Sequence, residues 1–219
     1  MTAIESTLIS TTRSPAQRHT AALASLGILS ASLIVGAVLF SSGTGIDGWR
    51  SATRLTARFS LFVFLLAFLA RPLAQTFRTG ATRLLLRERR GVGLAFAGAH
   101  TVHLAVFLTY FAVGGMVPPV VVVVLGGFAY VLIGLMAATS NDWSVARLGA
   151  KNWRRLHTFG IYYLWLIFAL TYLSRISRGP LSLVDGLLVA LVVAAFLLRL
   201  AAPFLRRGVR RTESPRDRF

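Results

Sequence analysis

No cysteine occurs anywhere in this chain of 219 residues. Disulfides, iron–sulfur clusters and thiolate-ligated iron are therefore excluded, and cysteine usage says nothing about redox compartment. Charge is scarce too: Asp, Glu, Lys and Arg make up 14% of the residues, against roughly a quarter in a soluble domain. Acid is the scarcest component, with seven carboxylate side chains against 24 basic ones. What is abundant is apolar, at 55% hydrophobic residues and a mean hydropathy of +0.68. The composition implies an integral membrane protein. The formal charge of +17 does not imply a nucleic-acid partner, because the basic residues fall between apolar runs rather than on one soluble face. They read as anchors at the membrane surface and contacts for anionic lipid headgroups.

A membrane span needs about 20 apolar residues, and six runs approach that length: Ala21–Phe40, Phe59–Ala74, Gly91–Val113, Pro118–Ala138, His157–Leu173 and Leu181–Leu205. Arg71-Pro72 is expected to mark the end of the second. The first run is long for a signal peptide, and the following FSSGTG has no clear A-x-A cleavage site, so a retained helix is expected. Val120–Val124 is β-branched throughout, yet in lipid an open chain satisfies its backbone only as a helix. Six spans put 19 of the 24 basic residues on one side, counting Arg199 near the end of the sixth span with the tail beyond it. Arg50, Arg54, Arg58, Arg175 and Arg178 fall on the other. By the positive-inside rule both termini are cytoplasmic. The expected fold is thus all-α, a polytopic six-helix transmembrane bundle over residues 21–205. Polar basic tails over 1–20 and 206–219 are expected to be disordered. Connections are short and no internal repeat is visible.

Residues 139–157, TSNDWSVARLGAKNWRRLH, are more than a linker. Ser140 or Asn141 can cap a short helix, Asp142 suits its positive end and Gly149 its C-terminus. Trp143, Val145 and Leu148 give that helix an apolar side, as for a segment lying at headgroup level.

Histidine is rare in membrane spans because its ring needs a polar partner there. Of the four histidines, His19 lies in the tail beside Arg18 and reads as solvated. His100 and His103 share one side of the third span, and His157 opens the fifth. Gly91, Gly93, Gly98, Ala95, Ala97 and Ala99 make the third span thin. That thinness suits either close helix packing or room for a flat macrocycle beside the imidazoles. Spans three and five run in the same direction, so two facing imidazoles could form an axial pair on one iron. Depth argues against the pair: His103 lies roughly 20 Å beyond Arg90, but His157 only about 3 Å beyond Arg155. His100, about 4.5 Å nearer the basic end, fits His157 better by depth.

Arg89-Arg90 followed by Gly93-Leu94, Phe96 and His103, then Thr139-Ser140, Leu148-Gly149, Trp153 and Leu156-His157, stand in an order that resembles the ferric reductase-like transmembrane domain superfamily. That group includes ferric reductases, NADPH oxidases and the haem membrane subunit of the bacterial methionine sulfoxide reductase system. The resemblance covers about residues 50–175. It implies a six-helix bundle carrying electrons through b-type haem held by histidines on spans three and five. By residue matching, His103 takes the span-three position and His157 the first span-five position. His100 is an additional histidine that could substitute for His103. A second span-five histidine, common in the family, is here Leu170, and the second span-three position falls at Met116 and Val117.

One haem b is accordingly expected in the inner membrane, with His157 and His103 or His100 as iron ligands. Arg90 and Arg154, with Arg89 and Arg155, would hold haem propionates or anionic lipid. After the sixth span only the tail to Phe219 remains. Electrons are therefore expected from a separate flavoprotein or the quinol pool, with quinone as a second carrier and an external reductase as acceptor. The chain would then be an oxidoreductase subunit without its own flavin or NAD(P)H module. The rivals are a haem-free scaffold or transporter-like protein of the same fold, and a subunit that only stabilises a larger redox complex.

Overall fold

A computed structural model describes residues 15–178, 180 and 182–212. Among these residues seven α-helices succeed one another: α1 (Pro15–Ser42), α2 (Ile46–Thr76), α3 (Gly80–Val113), α4 (Val120–Ala138), α5 (Asp142–Leu148), α6 (Ala150–Leu173) and α7 (Leu183–Thr212), with a 3-10 turn at Ile176–Arg178 before the last. All but α5 are long and apolar enough to cross a membrane. The protein is a multi-pass, all-α membrane protein.

Several ends differ from the expected ones. α1 already begins at Pro15 and α7 runs to Thr212, so helix enters both stretches expected to be disordered tails. The rest of those tails, and Leu181, lie outside the described residues. α2 starts well before Phe59, because the three arginines at 50, 54 and 58 recur every turn on a helix that continues past the apolar run. It also passes through Pro72 instead of stopping there. Proline removes one i→i−4 bond, here the one to the Phe68 carbonyl. That carbonyl receives a guanidinium N–H of Arg199 from α7 instead. The same guanidinium lies over the Phe68 ring at 4.4 Å and donates to the Tyr162 hydroxyl at 3.2 Å. The cation counted with the tail is therefore a bond inside the bundle.

Contacts between helices show that the long ones alternate in direction. At the arginine-rich end, His19 of α1 meets Glu88 of α3 at 3.0 Å, so it is paired rather than simply solvated. Arg90 of α3 reaches the Ser140 carbonyl after α4 at 2.6 Å and Asp142 at 3.1 Å. At the other end Asp185, opening α7, lies 3.5 Å from Arg58 of α2 and 3.3 Å from Arg175 after α6. The Ser182 hydroxyl, donating to Asp185 at 3.0 Å, completes that cluster.

Small residues settle the packing of α3. A Cβ at Gly27 would collide with the Ala95 backbone, one at Gly98 with Ile28, and one at Gly91 with Leu23. The thin side of α3 is thus taken by α1, the close-packing alternative for these residues. The opposite side of α3 faces an aromatic core where α2, α3, α4, α6 and α7 converge, around Phe64, Phe68, Phe96, Ile133, Leu164 and Phe168. In the α4–α6 connection Asn141, not Ser140, caps α5 by accepting from the Ser144 amide at 2.7 Å. Gly149 turns the chain at φ +75°, in the left-handed region that favours glycine.

Candidate functional site: the intramembrane histidines

Phe96, His100, His103 and Phe107 recur at intervals of three and four, so they form one stripe on the core side of α3. Their rings form a ladder: Phe96 to His100 at 5.2 Å, His100 to His103 at 5.1 Å, His103 to Phe107 at 6.4 Å. α2 runs antiparallel beside it. Two contacts fix the register, Thr56 with His103 and Phe64 with Phe96, and so place Ser60 level with His100.

Thr56 sets the orientation of His103. Its side chain is fully buried, and its hydroxyl donates to the Ala52 carbonyl at 2.8 Å, sharing with that of Thr53 at 3.2 Å. A hydroxyl has one proton to give. With its proton on the Ala52 carbonyl, the same oxygen accepts from His103, whose Nδ1 lies 2.9 Å away. In that arrangement the His103 proton sits on Nδ1 and Nε2 keeps a free lone pair, as an iron-ligating imidazole requires. The residue fits an axial ligand of haem.

His100 is set differently. Its ring is stacked between Phe96 and Tyr130, the latter at 5.0 Å, and meets Phe168 edge-on at 5.7 Å. The Tyr130 hydroxyl donates to the His100 carbonyl at 3.1 Å. His100 Nδ1 and Ser60 Oγ are both buried without a hydrogen-bond partner, so this layer of the bundle has unused polar capacity.

His157 lies elsewhere. Its ring stacks on Trp153 at 4.1 Å, and its Nε2 is 3.1 Å from the Thr139 hydroxyl at the end of α4. The Thr139 hydroxyl also reaches the Leu135 carbonyl at 2.7 Å; with its proton there, Nε2–H donates to it and Nδ1 holds the lone pair. Trp153 clasps the same residue, donating to the Thr139 carbonyl at 2.8 Å. The charges of Arg89 and Arg90 reach the His157 ring. On α6, Phe168, which touches His100, is eleven residues from His157, or about 16 Å along the axis. The structure thus brings His100 and His103 together and leaves His157 one level below, with no ring contact to either among the described residues. At the level of His100, α6 presents Phe168, while Leu170 is exposed on the far side of the helix. Arg90 is tied to Ser140 and Asp142, while Arg154 is exposed on another face of α6.

Comparison with known proteins places these histidines in context. Curated proteins from Brucella ovis, Brucella canis and Brucella suis, each named protein-methionine-sulfoxide reductase heme-binding subunit MsrQ, are 30% identical to this chain over 172 residues. The match covers 74% of this chain and 73% of each relative. The chain belongs to the MsrQ family. No family model and no solved structure matches it. MsrQ membership agrees with the ferric reductase-like order of motifs from Arg89 to His157.

Three residues of this MsrQ-family bundle escape a reading of the sequence by spans. Thr56 lies just before the apolar run taken for span two, and its signal is an i, i+4 pair with Ser60 on one helix face. Tyr130 sits in an otherwise uniform apolar run. Arg199 has the plainest signal, an arginine six residues from the end of an apolar stretch.

Proposed function

We propose that this chain is a haem b subunit of the bacterial inner membrane that passes electrons from a cytoplasmic donor or quinol to an acceptor on the outer side. The observation that carries the reading is the Thr56–His103 bond on a part-buried imidazole, which frees the Nε2 lone pair when the hydroxyl accepts from Nδ1. Its supports are the heme-binding role in the relatives' names and the imbalance of basic residues, which by the positive-inside rule puts both termini in the cytoplasm. When bound, haem would supply a one-electron carrier within the bilayer.

The chain's own residues do the rest. His103 would hold iron from the α3 side, with Thr56 fixing its tautomer. His157 would serve at the lower level, where its ligation would use Nδ1 or exchange the Thr139 bond for iron. Arg89 and Arg90 lie toward the arginine-rich end and would neutralise propionates there, whereas Arg154 and Arg155 stand on the face of α6 turned away from His157. Pairing His103 and His157 on a single iron has no support in the offset of about 16 Å along α6. The donor would be a separate flavoprotein or quinol and the acceptor an exported reductase.

The test is expression in a haem-sufficient host, with oxidised and dithionite-reduced spectra of the purified protein. His103→Ala is expected to lose most of the b-type signal and His157→Ala to lose a separable part. A coloured His103→Ala protein with unaltered bands would refute the assignment. The second reading, a haem-free scaffold, is favoured by the tight ring packing around His100 and would give a colourless, monodisperse preparation. A transporter-like reading loses support from Asp185, the acid nearest a span, since Arg58 and Arg175 already bracket it.

A further inference from the structure

Lys151, Arg154, Arg155, Thr158, Phe159 and Tyr162 line an open groove of about 730 Å³ on α6. Their spacing of i, i+3, i+4, i+7, i+8 and i+11 puts all six on one face of the helix. His157 projects roughly 130° away from the centre of that face, toward Thr139 of α4. The groove is therefore separate from the histidine site.

Its chemistry is graded along the helix. The three cations occupy the end nearest the headgroups, and among the described residues no carboxylate pairs with any of them. Thr158 comes next. Phe159, 55% exposed, and Tyr162, whose hydroxyl is held by Arg199, form the deeper wall. From Lys151 to Tyr162 the face is about 16 Å long. Charge at the interface giving way to apolar surface toward the bilayer centre is the profile of an anionic amphiphile. A soluble anion would leave Phe159 unused, and a macrocycle would find no imidazole on this face.

We propose that this groove is a specific site for one anionic phospholipid of the leaflet at the arginine-rich end, its phosphate held by Lys151, Arg154 and Arg155 and an acyl chain laid along Phe159 and Tyr162. Haem plays no part in this site. Basic contacts of this kind multiply in affinity, so losing three of them weakens the lipid by about 100-fold.

The experiment is native mass spectrometry of the full chain released from nanodiscs of equimolar phosphatidylglycerol and phosphatidylcholine. The unmodified protein is expected to retain one phosphatidylglycerol. Lys151→Gln/Arg154→Gln/Arg155→Gln is expected to lose that preference, and Arg154→Lys/Arg155→Lys, which keeps the charge, to retain it. Arg71→Gln/Arg83→Gln/Arg87→Gln removes the same charge from the same end outside the groove and is expected to keep the lipid. Phe159→Ser is expected to weaken the lipid while leaving inorganic phosphate no better a competitor. Equal losses in both triple variants, no phosphatidylglycerol preference in the unmodified protein, or displacement of the lipid by inorganic phosphate alone would each overturn the proposal.

Discussion

Thr56→Val removes one oxygen and keeps nearly the same shape. The hydroxyl's own donations go to the Ala52 and Thr53 carbonyls, which α2 already engages, so their loss costs little. The loss falls on His103, whose Nδ1–H is left buried with no acceptor. An unsatisfied buried donor costs about 1–3 kcal/mol. Loss of a partner that orients a metal-ligating histidine typically weakens the metal site by about 10- to 100-fold. That is about 1.4–2.8 kcal/mol of haem affinity, in addition to the folding cost. The assay is titration of haem into the apoprotein, read at the Soret band, with a spectroelectrochemical midpoint on the loaded protein. Thr56→Val is expected to bind about 10- to 100-fold more weakly and to show a raised midpoint, because the imidazole donates less electron density without its Nδ1–H acceptor. Thr56→Ser keeps the oxygen and is expected to restore both. A Val variant that titrates like the unmodified protein, or Val and Ser variants that fall together, would refute the assigned role of the hydroxyl.

The same geometry sets other outcomes. Arg199→Leu uncovers the Phe68 carbonyl and is expected to cost about 1–3 kcal/mol in denaturant unfolding from detergent micelles. Pro72→Ala restores an N–H to that carbonyl, so the Arg199→Leu cost should shrink in its presence, and simple additivity would contradict the capping role. Gly27→Leu forces a side chain into the Ala95 backbone and is expected to cost about 1–3 kcal/mol, read as a lower melting midpoint. Gly36→Leu, where a Cβ meets nothing within 4 Å, should leave that midpoint in place. Because α6 meets the His100–His103 layer with Phe168 and, among the described residues, with no imidazole, reduced haem held there is expected to bind carbon monoxide readily. A carbon-monoxide-insensitive low-spin spectrum would mean that a second imidazole reaches the same iron.

The bundle itself was legible from hydropathy, since lipid leaves a spanning segment almost no choice but helix. The short α5 was also legible, because Asn141, Asp142 and Gly149 are local signals that no tertiary contact needs to confirm. Helix ends were not. α2 continues through Arg50, Arg54 and Arg58 and past Pro72, and both extensions depend on partners distant in sequence, Asp185 and Arg199. The histidines were visible as candidates, and rise per residue foretold the mismatch in depth between His103 and His157. Which nitrogen of each ring is free was hidden, because it depends on two threonine hydroxyls, Thr56 and Thr139, whose protons are committed to carbonyls of their own helices. The small residues of α3 fitted two accounts equally until Gly27 of α1 was found against Ala95.

The bond from Arg199 to the Phe68 carbonyl joins residues 131 positions apart, and membrane proteins are made from one end. During synthesis α2 enters the bilayer long before α7 exists, so it carries a bare carbonyl in its last third, of a kind that lipid penalises by several kcal/mol. Four further helices must be made before the guanidinium that covers it arrives. An interrupted chain ending after α6 would keep that defect permanently, and a finished chain would not. The last helix thereby completes the second, a chemical difference between a finished subunit and one truncated before α7.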